Sequence, residues 1–303
     1  METIPFKLKN GEEHPIRLWV PEGAPRCVVQ IVHGMAEHID RYERLALFLN
    51  ARGIAVAGIN LAGHGAESKV LGWFSVQDGW KMVLEDINGV RAKLKERLPD
   101  VPYVLMGHSM GSFLVRSYLA AYPVPDLAVL SGTGTYLKGL CGFGKGLAAL
   151  CSVFGGQKPS KLVSAISFSA NNKPFKPART AYDWLSRDEK EVDKYVSDPY
   201  CGFLFTAKAY QDFFGGLKGI ASDEHLNTFP KAVPLYVMSG ECDPVGQMGK
   251  GVHQAAERYR AAGCKDVTVK LYEGARHEIL NETNRDEVMG DLAHWLISHI
   301  EES

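Results

Sequence analysis

The pattern Gly-His-Ser-Met-Gly at residues 107–111 constrains the fold of this chain more than any other stretch. A short apolar run at 104–106 precedes it and predicts a buried strand. Apolar side chains then recur at helical spacing over 112–120, before Pro123. A G-x-S-x-G turn between a strand and a helix is the context of a nucleophile elbow. We therefore predict that Ser109 is a nucleophile in a strained turn, where glycines are needed because there is no room for side chains.

Alternating apolar strands and amphipathic helices extend on both sides of this turn. Nearly continuous apolar runs predict strands that are buried on both faces. These runs lie at 27–32, 54–59, 127–130, 235–238 and 267–272. Because helical patterns fall between them, we expect an α/β fold with a mostly parallel central sheet and helices on both faces. An earlier alternation at 6–9 and 16–20 predicts an antiparallel hairpin that enters the sheet.

The strand–helix alternation breaks over residues 132–229, and this interval predicts an inserted subdomain. It contains a glycine-rich stretch at 139–146 and an acidic, mixed-charge pattern that predicts a helix over 183–195. A structureless loop of that length is uncommon inside a compact domain. We therefore divide the chain into a core of residues 1–131 and 230–303 and a cap over the catalytic edge of the sheet.

The bulk composition excludes several classes of protein. With 34 basic and 35 acidic residues, the chain has no electrostatic footprint for nucleic acid or an anionic membrane. Its six cysteines contain no C-x-x-C pair, so neither disulfides nor a zinc site is predicted. We expect no secretion signal, because residues 1–5 lack a basic region followed by an apolar stretch, and no apolar run is long enough to span a bilayer. These features predict a cytoplasmic protein without a metal or cofactor, and they leave its oligomeric state open.

A serine hydroxyl needs a base and usually an acid to become a nucleophile. In folds of this class the acid and the base follow the nucleophile in the chain, each in a loop after a strand. Asp243 follows the strand at 235–238, and Pro244 restrains its backbone, so we favour Asp243 over the neighbouring Glu241 as the acid. His277 is the histidine that lies in a loop directly after a later strand, which makes it the candidate base.

An oxyanion hole requires two N–H groups aimed at the tetrahedral intermediate. The amide of Met110, directly after the nucleophile, is one candidate. The other is the amide of Met35, in the stretch His-Gly-Met-Ala-Glu-His at 33–38, where Gly34 lets the backbone approach. His33 and His38 in this stretch match no common metal-ligand spacing, so we predict no metal site there.

Four motifs in this order resemble the α/β-hydrolase family of monoacylglycerol lipases and lysophospholipases, which is similar to the S33 serine aminopeptidases. They are the stretches at 33–38 and 107–111, Ser-Gly-Glu-Cys-Asp-Pro-Val at 239–245, and Gly-Ala-Arg-His-Glu at 274–278. One departure lies at 60–65, where relatives usually carry Asp and Arg before Gly-His-Gly; it alters a structural loop.

The resemblance implies an α/β-hydrolase fold with a Ser109–His277–Asp243 triad and an oxyanion hole at Met35 and Met110. It also implies hydrolysis of fatty-acyl esters without a cofactor, so the expected partner is a small acyl ester. The apolar cap segments at 147–154 and 162–168 form the cap core, the wall of an acyl pocket, or a lid that faces a lipid interface and contacts it transiently.

Three alternatives remain open. The first is an aminopeptidase, in which cap carboxylates bind the substrate ammonium; the candidates are Asp183, Asp188, Glu189, Glu191 and Asp193. The second is a hydrolase of small esters on the same fold. The third is a catalytically silent ligand-binding protein, against which the complete set of catalytic residues argues.

Overall fold

The computed structural model describes residues 1–153 and 156–301. Residue 154, at the end of the apolar segment predicted over 147–154, lies outside the described residues. Strands and helices alternate along the core, as the sequence pattern predicts. Within the described ranges, no helix is long and apolar enough to cross a bilayer.

A mixed sheet of eight strands forms the centre of the described structure. The strands are β1 (Glu2–Ile4), β2 (Ile16–Trp19), β3 (Cys27–Val32), β4 (Ile54–Gly58), β5 (Tyr103–His108), β6 (Leu127–Ser131), β7 (Leu235–Gly240) and β8 (Val267–Tyr272). Their order in the sheet is β1-β2-β4-β3-β5-β6-β7-β8. Strands β3 to β8 pair in parallel, whereas β1 and β2 are antiparallel. The loops after the parallel strands therefore meet at one edge.

Helices pack on both faces of this sheet. In the described ranges they are α1 (Glu43–Asn50), α2 (Gly79–Arg97), α3 (Met110–Leu119), α4 (Lys138–Val153), α5 (Lys161–Phe168), α6 (Glu189–Ser197), α7 (Ala207–Ile220), α8 (Asp223–Thr228), α9 (Lys250–Ala261) and α10 (Arg285–Glu301). Val28 and Val32 of β3 join the hydrophobic core that includes α2, α3 and α9, whereas Val29 and Ile31 join the core that includes α1 and α10. Because successive strand residues point to opposite faces, a strand covered on both sides is apolar throughout.

The predicted hairpin is wrong in one of its two strands. β2 pairs with β1, not with residues 6–9, and Lys7 forms only an isolated bridge with Glu13. The Lys9 amide donates instead to the Asp86 carboxylate of α2 over 2.8 Å. Part of the backbone hydrogen bonding of residues 6–9 is therefore made with a helix and not with a strand. The local alternation of apolar and polar residues could not predict this contact.

The helix predicted over 183–195 is also displaced. The chain makes a 3-10 turn at Asp183–Leu185, and α6 begins only at Glu189. Asp183 accepts hydrogen bonds from the Arg179 and Thr180 amides, while the Asp188 side chain accepts from the Lys190 amide and caps α6. Aspartate competes with helical hydrogen bonding in this way and favours helix starts over helix interiors.

The interval predicted as a cap lies between β6 and β7 and contains α4 to α8. The glycine-rich stretch at 139–146 is part of α4 rather than a loop. A Cβ atom at Gly144 would lie 3.0 Å from the Phe214 ring, so glycine lets α4 approach α7 closely. Phe205 and Tyr210 of the interval share the hydrophobic core of α2 and α3. The division into core and cap stays a prediction.

Candidate active site

Ser109 lies at the sharp turn between β5 and α3. Its backbone angles, φ 52° and ψ −118°, are ones that a serine rarely adopts. Such a conformation costs on the order of 1–3 kcal/mol and persists only where the surroundings enforce it. A Cβ atom at Gly107 would collide with the Gly111 carbonyl, and one at Gly111 would collide with the Val32 carbonyl. The close approach of β3, β5 and α3 therefore requires glycine at both positions.

Asp243 and His277 meet at the same edge of the sheet, after β7 and β8. Both side chains are buried, and His277 Nδ1 donates to Asp243 Oδ2 over 2.9 Å. Ser239 Oγ donates to the same oxygen over 3.0 Å, and the Val245 amide donates to Oδ1 over 2.8 Å. Since a carboxylate only accepts hydrogen bonds, His277 carries its proton on Nδ1 and keeps Nε2 as an acceptor.

Burial and charge act in opposite directions on this pair. Burial alone would lower the pKa of His277, but the facing Asp243 carboxylate, with Glu278 and Glu37 nearby, raises it above its usual value. Burial would raise the pKa of Asp243, whereas the His277 ring and the donated hydrogen bonds hold it below its usual range. The result is an ionised carboxylate beside an imidazole that is ready to accept a proton.

Glu241, the competing acid, takes no part in this contact. Its side chain is exposed, and Oε2 accepts from the Gly274 amide over 3.2 Å. The structure thus brings Asp243 to His277 and leaves Glu241 at the surface.

The two amides expected to form the oxyanion hole line one cavity with Ser109. In the described part of the chain, neither the Met35 nor the Met110 amide donates a hydrogen bond to another residue. A Cβ atom at Gly34 would lie 3.2 Å from the Ser109 Cβ, so glycine allows this backbone to approach Ser109. Both amides are therefore available to a ligand beside Ser109.

His33 orients the peptide that carries the Met35 amide. Its Nδ1–H donates to the Gly34 carbonyl over 2.8 Å, and its Nε2 accepts from the Leu61 amide over 2.9 Å. Burial lowers the pKa of His33 to about 3, so the ring stays neutral in this tautomer at ordinary pH. Both nitrogens are engaged by backbone groups, which leaves none for the metal role considered for this residue.

A group of three possible metal ligands, His38, Asp198 and Cys201, lies beside the loop after β3. His38 Nε2 and Asp198 Oδ2 are 2.9 Å apart and form a hydrogen bond. Burial raises the pKa of the Cys201 thiol well above its usual value, and a protonated thiol is a poor ligand. We assign no metal to this group.

A buried charge network lies at this edge of the sheet and was not predicted from the sequence. Arg41 pairs with Glu37 on one side and with Glu278, the residue after His277, on the other. His108, inside the turn motif, also lies against His277, with ring centroids 4.8 Å apart. The i,i+4 spacing of Glu37 and Arg41 is the feature of the sequence that could have predicted their ion pair. Glu278 is 237 positions from Arg41 and could not be paired with it from sequence.

A cavity of about 500 Å³ opens onto Ser109 and His277. The Trp184 ring lies beside His277, with the two ring centroids 5.0 Å apart. Aromatic side chains form much of the wall. One, Phe113, comes from α3, and the others come from the 132–229 interval: Tyr136, Phe168, Phe203, Tyr210 and Phe213. Such a wall suits an apolar substrate chain placed against a polar reacting group.

The chain is similar to known hydrolases over almost its whole length. Residues 23–284 match the family described as serine aminopeptidase, S33. The monoacylglycerol lipase of Mycolicibacterium smegmatis is 26% identical over 93% of this chain and 92% of its own length. The monoglyceride lipase of Mus musculus is 28% identical over 96% of this chain and 88% of its own.

A solved structure shows the same likeness in three dimensions. The thermostable carboxyl esterase from Bacillus coagulans, in complex with glycerol, superposes with a TM-score of 0.89 at 27% identity, covering 99% of this chain and 98% of the other. Together these matches confirm the α/β-hydrolase fold and the class of enzyme expected from the motifs. The chain is a carboxylic ester hydrolase that belongs to the S33 serine aminopeptidase family of α/β-hydrolases.

Proposed function

We propose that this enzyme hydrolyses long-chain fatty-acyl esters of the monoacylglycerol or lysophospholipid type, with Ser109, His277 and Asp243 as its catalytic triad. The observation that carries the proposal is the apolar-walled cavity that opens onto Ser109 and His277. It offers an acyl chain a surface away from water beside the Ser109 hydroxyl, which we propose is the nucleophile. The monoacylglycerol lipases among the relatives support the same substrate class.

In the proposed reaction, Ser109 Oγ attacks the ester carbonyl carbon while His277 Nε2 takes the hydroxyl proton. The Met35 and Met110 amides donate hydrogen bonds to the oxyanion of the tetrahedral intermediate. Asp243 holds the Nδ1–H of the imidazolium through the 2.9 Å hydrogen bond. Collapse breaks the bond to the alkoxy oxygen, and the imidazolium protonates the leaving alcohol. Water, deprotonated by His277, then cleaves the acyl-enzyme and releases the fatty acid.

We place the acyl chain between the core and residues 132–229, which we propose form a cap. Phe113 of α3 supplies the core side of the cavity, while Phe168 of α5 and Phe213 of α7 supply the cap side. The cap therefore determines how much of an acyl chain is removed from water. Burial of each CH₂ group is worth about 0.8 kcal/mol, so a longer buried chain gives tighter binding.

The cap also has a surface suited to transient contact with a lipid interface. Among the residues that the structure describes, its first two helices and their flanks expose seven large apolar side chains: Leu137, Leu140, Phe143, Leu150, Val153, Leu162 and Ile166. The whole-chain charge balance predicts no attraction to an anionic membrane, but residues 132–182 contain seven basic residues and no acidic one, so this part of the chain is locally cationic. Exposed apolar side chains in a basic stretch of the chain match a bilayer that contains anionic phospholipid. We expect cosedimentation with anionic vesicles, reduced by Phe143→Glu and weak for zwitterionic vesicles.

All six cysteines are free thiols in the structure. Free thiols suit a reducing compartment. A cytoplasmic location is therefore part of the proposal.

Initial hydrolysis rates over a series of glycerol and nitrophenyl esters test the substrate class. We expect kcat/KM to rise from butyryl toward palmitoyl esters, because more of the chain is buried in the cavity. Ser109→Ala should lose hydrolysis of every ester in the series. A preference that falls with chain length would identify a small-ester hydrolase, and a Ser109→Ala variant with the wild-type rate would contradict the triad.

The aminopeptidase alternative finds little support in the cap. Among the described residues, none of the five candidate carboxylates lines the cavity. Three of the carboxylates form ion pairs: Asp188 with Arg285, Glu191 with Arg44 and Lys194, and Asp193 with Arg179. Asp183 accepts hydrogen bonds from two backbone amides. Glu189 is exposed to solvent. This placement favours an ester substrate over a peptide with a free ammonium group.

A further inference from the structure

Arg41 connects the two loops that carry the proposed oxyanion hole and base. It lies in the 3-10 turn Ile39–Tyr42, and its side chain is 12% exposed. Arg41 Nη1 donates to Glu37 Oε2 over 2.7 Å. The two Nη atoms also donate to the two carboxylate oxygens of Glu278, each over 2.7 Å. A forked pairing of this kind is both strong and directional, so it fixes relative position as well as charge.

The Glu37 and Glu278 carboxylates each restrain one loop of the proposed active site. Glu37 Oε1 accepts the Gly34 amide over 2.6 Å and so fixes the backbone that leads directly into Met35. Glu278 directly follows His277, so a fork on its carboxylate restrains the base loop. Arg41 is therefore the common partner of two segments that must keep a fixed separation for catalysis.

The same arginine contacts the proposed cap. Its guanidinium carbon lies 4.9 Å from the centre of the Tyr195 ring on α6. The Tyr195 hydroxyl donates to the Ala36 carbonyl over 2.9 Å. Three segments that are far apart in sequence thus meet on one buried cation.

Arg41 also balances charge near the base. Charged and titratable groups reach the surroundings of His277 from several elements: Asp243 after β7, Glu278 from its own loop, Glu37 and Arg41 after β3, and His108 at the end of β5. The carboxylates favour the imidazolium form, whereas nearby positive charge opposes it. Without Arg41, Glu37 and Glu278 would act on His277 without a compensating cation.

We propose that Arg41 is a positioning residue, which holds the oxyanion loop and the base loop in one geometry and offsets negative charge around the base. The inference rests on the proposed function, because it takes His277 as the base and the Met35 amide as an oxyanion donor. Arg41 itself acts only through Glu37 and Glu278. It should therefore affect the rate of the chemical step and its pH dependence more than substrate binding.

Steady-state kinetics on a nitrophenyl ester, measured from pH 5 to pH 9, test this role. Arg41→Gln should lower kcat about 10- to 100-fold with little change in KM, because small displacements of catalytic groups cost that much. In the pH profile of kcat/KM for this variant, the acid limb should move to higher pH by about 0.5–1 unit. The reason is that Glu37 and Glu278 lose their cation, and their uncompensated negative charge raises the pKa of His277. Glu278→Gln should move the acid limb the other way. Arg41→Lys should keep the wild-type acid limb but not the wild-type kcat, because lysine supplies the charge without the fork.

Arg44→Gln is the matched control. Arg44 lies one turn further along, pairs with Glu191 of the cap over 2.8 Å, and forms no ion pair with Glu37 or Glu278 in the described structure. The proposal is overturned if Arg41→Gln keeps the wild-type kcat and pH profile, if Arg44→Gln reproduces its losses, or if the acid limbs of Arg41→Gln and Glu278→Gln move in the same direction. If Arg41→Gln does not fold, Arg41→Lys and Glu278→Gln give the same test.

Failure of the proposed function has a different signature. In that case Ser109→Ala would still hydrolyse the ester, whatever the Arg41 variants do. Loss of activity in Ser109→Ala combined with unaffected Arg41 variants would overturn only the role of Arg41.

Discussion

His277 Nδ1 lies 2.9 Å from Asp243 Oδ2, and both side chains are buried. The two residues follow neighbouring parallel strands, β7 and β8, so the sheet itself sets the spacing between their loops. Because Asp243 also accepts from Ser239 and Val245, the carboxylate has little freedom to turn away. The pair thus has the rigidity that a base oriented by an acid requires.

Asp243→Asn should lower kcat by about 10⁴-fold while KM changes little, because an amide favours the wrong imidazole tautomer. Steady-state kinetics on a nitrophenyl ester measure the effect. Glu241→Gln is the control, since Glu241 lies at the surface and its carboxylate accepts from the Gly274 amide rather than from His277. A kcat for Asp243→Asn within tenfold of the wild type would show that another group orients His277.

Ser109→Gly should be more stable than Ser109→Ala, although both lack the nucleophile. Glycine tolerates a positive φ that alanine does not, and relief of the strain at φ 52° should add on the order of 1 kcal/mol to the free energy of unfolding. Urea denaturation of the two inactive variants measures the difference. Equal stabilities would mean that the turn stores no strain at this residue.

The acid limb of kcat/KM should have its midpoint above pH 6.5. Burial lowers the pKa of His277, but Asp243 and its neighbours raise it above that ordinary value, and the base works only when neutral. Activity is therefore lost as pH falls through the raised pKa. A pH–rate profile of the wild type measures the midpoint, and Asp243→Asn should shift it to lower pH. A midpoint below 6.5 in the wild type would contradict the charge balance described here.

Asp86→Asn should stabilise the protein at pH 8 but not at pH 4. Burial raises the pKa of Asp86 from 3.8 to about 7, and its Oδ2 has no hydrogen-bond partner in the described structure. Between pH 3.8 and about pH 7, Asp86 keeps its proton in the native state but releases it in the unfolded chain. The free energy of unfolding therefore falls as the pH rises through this range. The gain at pH 8 should be on the order of 2 kcal/mol or more. Urea denaturation measures it.

Glu96→Gln serves as the control for that measurement. Glu96 lies on the same helix but is exposed and pairs with Lys93 at the surface. Its substitution should change stability by less than about 0.5 kcal/mol at either pH. A pH-independent effect of Asp86→Asn would show that Asp86 is already ionised in the native state without cost.

Much of this site follows from local sequence because each member occupies a position with a short-range signal. Ser109 lies in a turn that only glycines can flank, and Asp243 and His277 each follow an apolar run. In a parallel sheet, residues after successive strands reach one edge regardless of the chain between them. Placing these residues together thus needed only the strand assignment, which the structure bears out.

The charge network has no comparable signal. Arg41 and Glu278 are 237 positions apart, and their pairing depends on how the loop after β3 packs against the loop after β8. The departure at residues 60–65 shows the same dependence, because Asn60 accepts from the Ile39 amide and donates to Glu67 across the loop. Contacts of this kind arise from tertiary packing and leave no periodic pattern in the sequence.

Covalent labelling with a long-chain alkyl fluorophosphonate, read by intact mass and peptide mapping, tests the central claim most directly. We predict one adduct per chain, on the peptide that contains Ser109, with loss of ester hydrolysis in proportion to labelling. A dodecyl probe should react faster than an ethyl probe, because the cavity binds its chain. An adduct on another residue, or full hydrolysis by a chain that carries the Ser109 adduct, would contradict the assignment of Ser109 as the nucleophile.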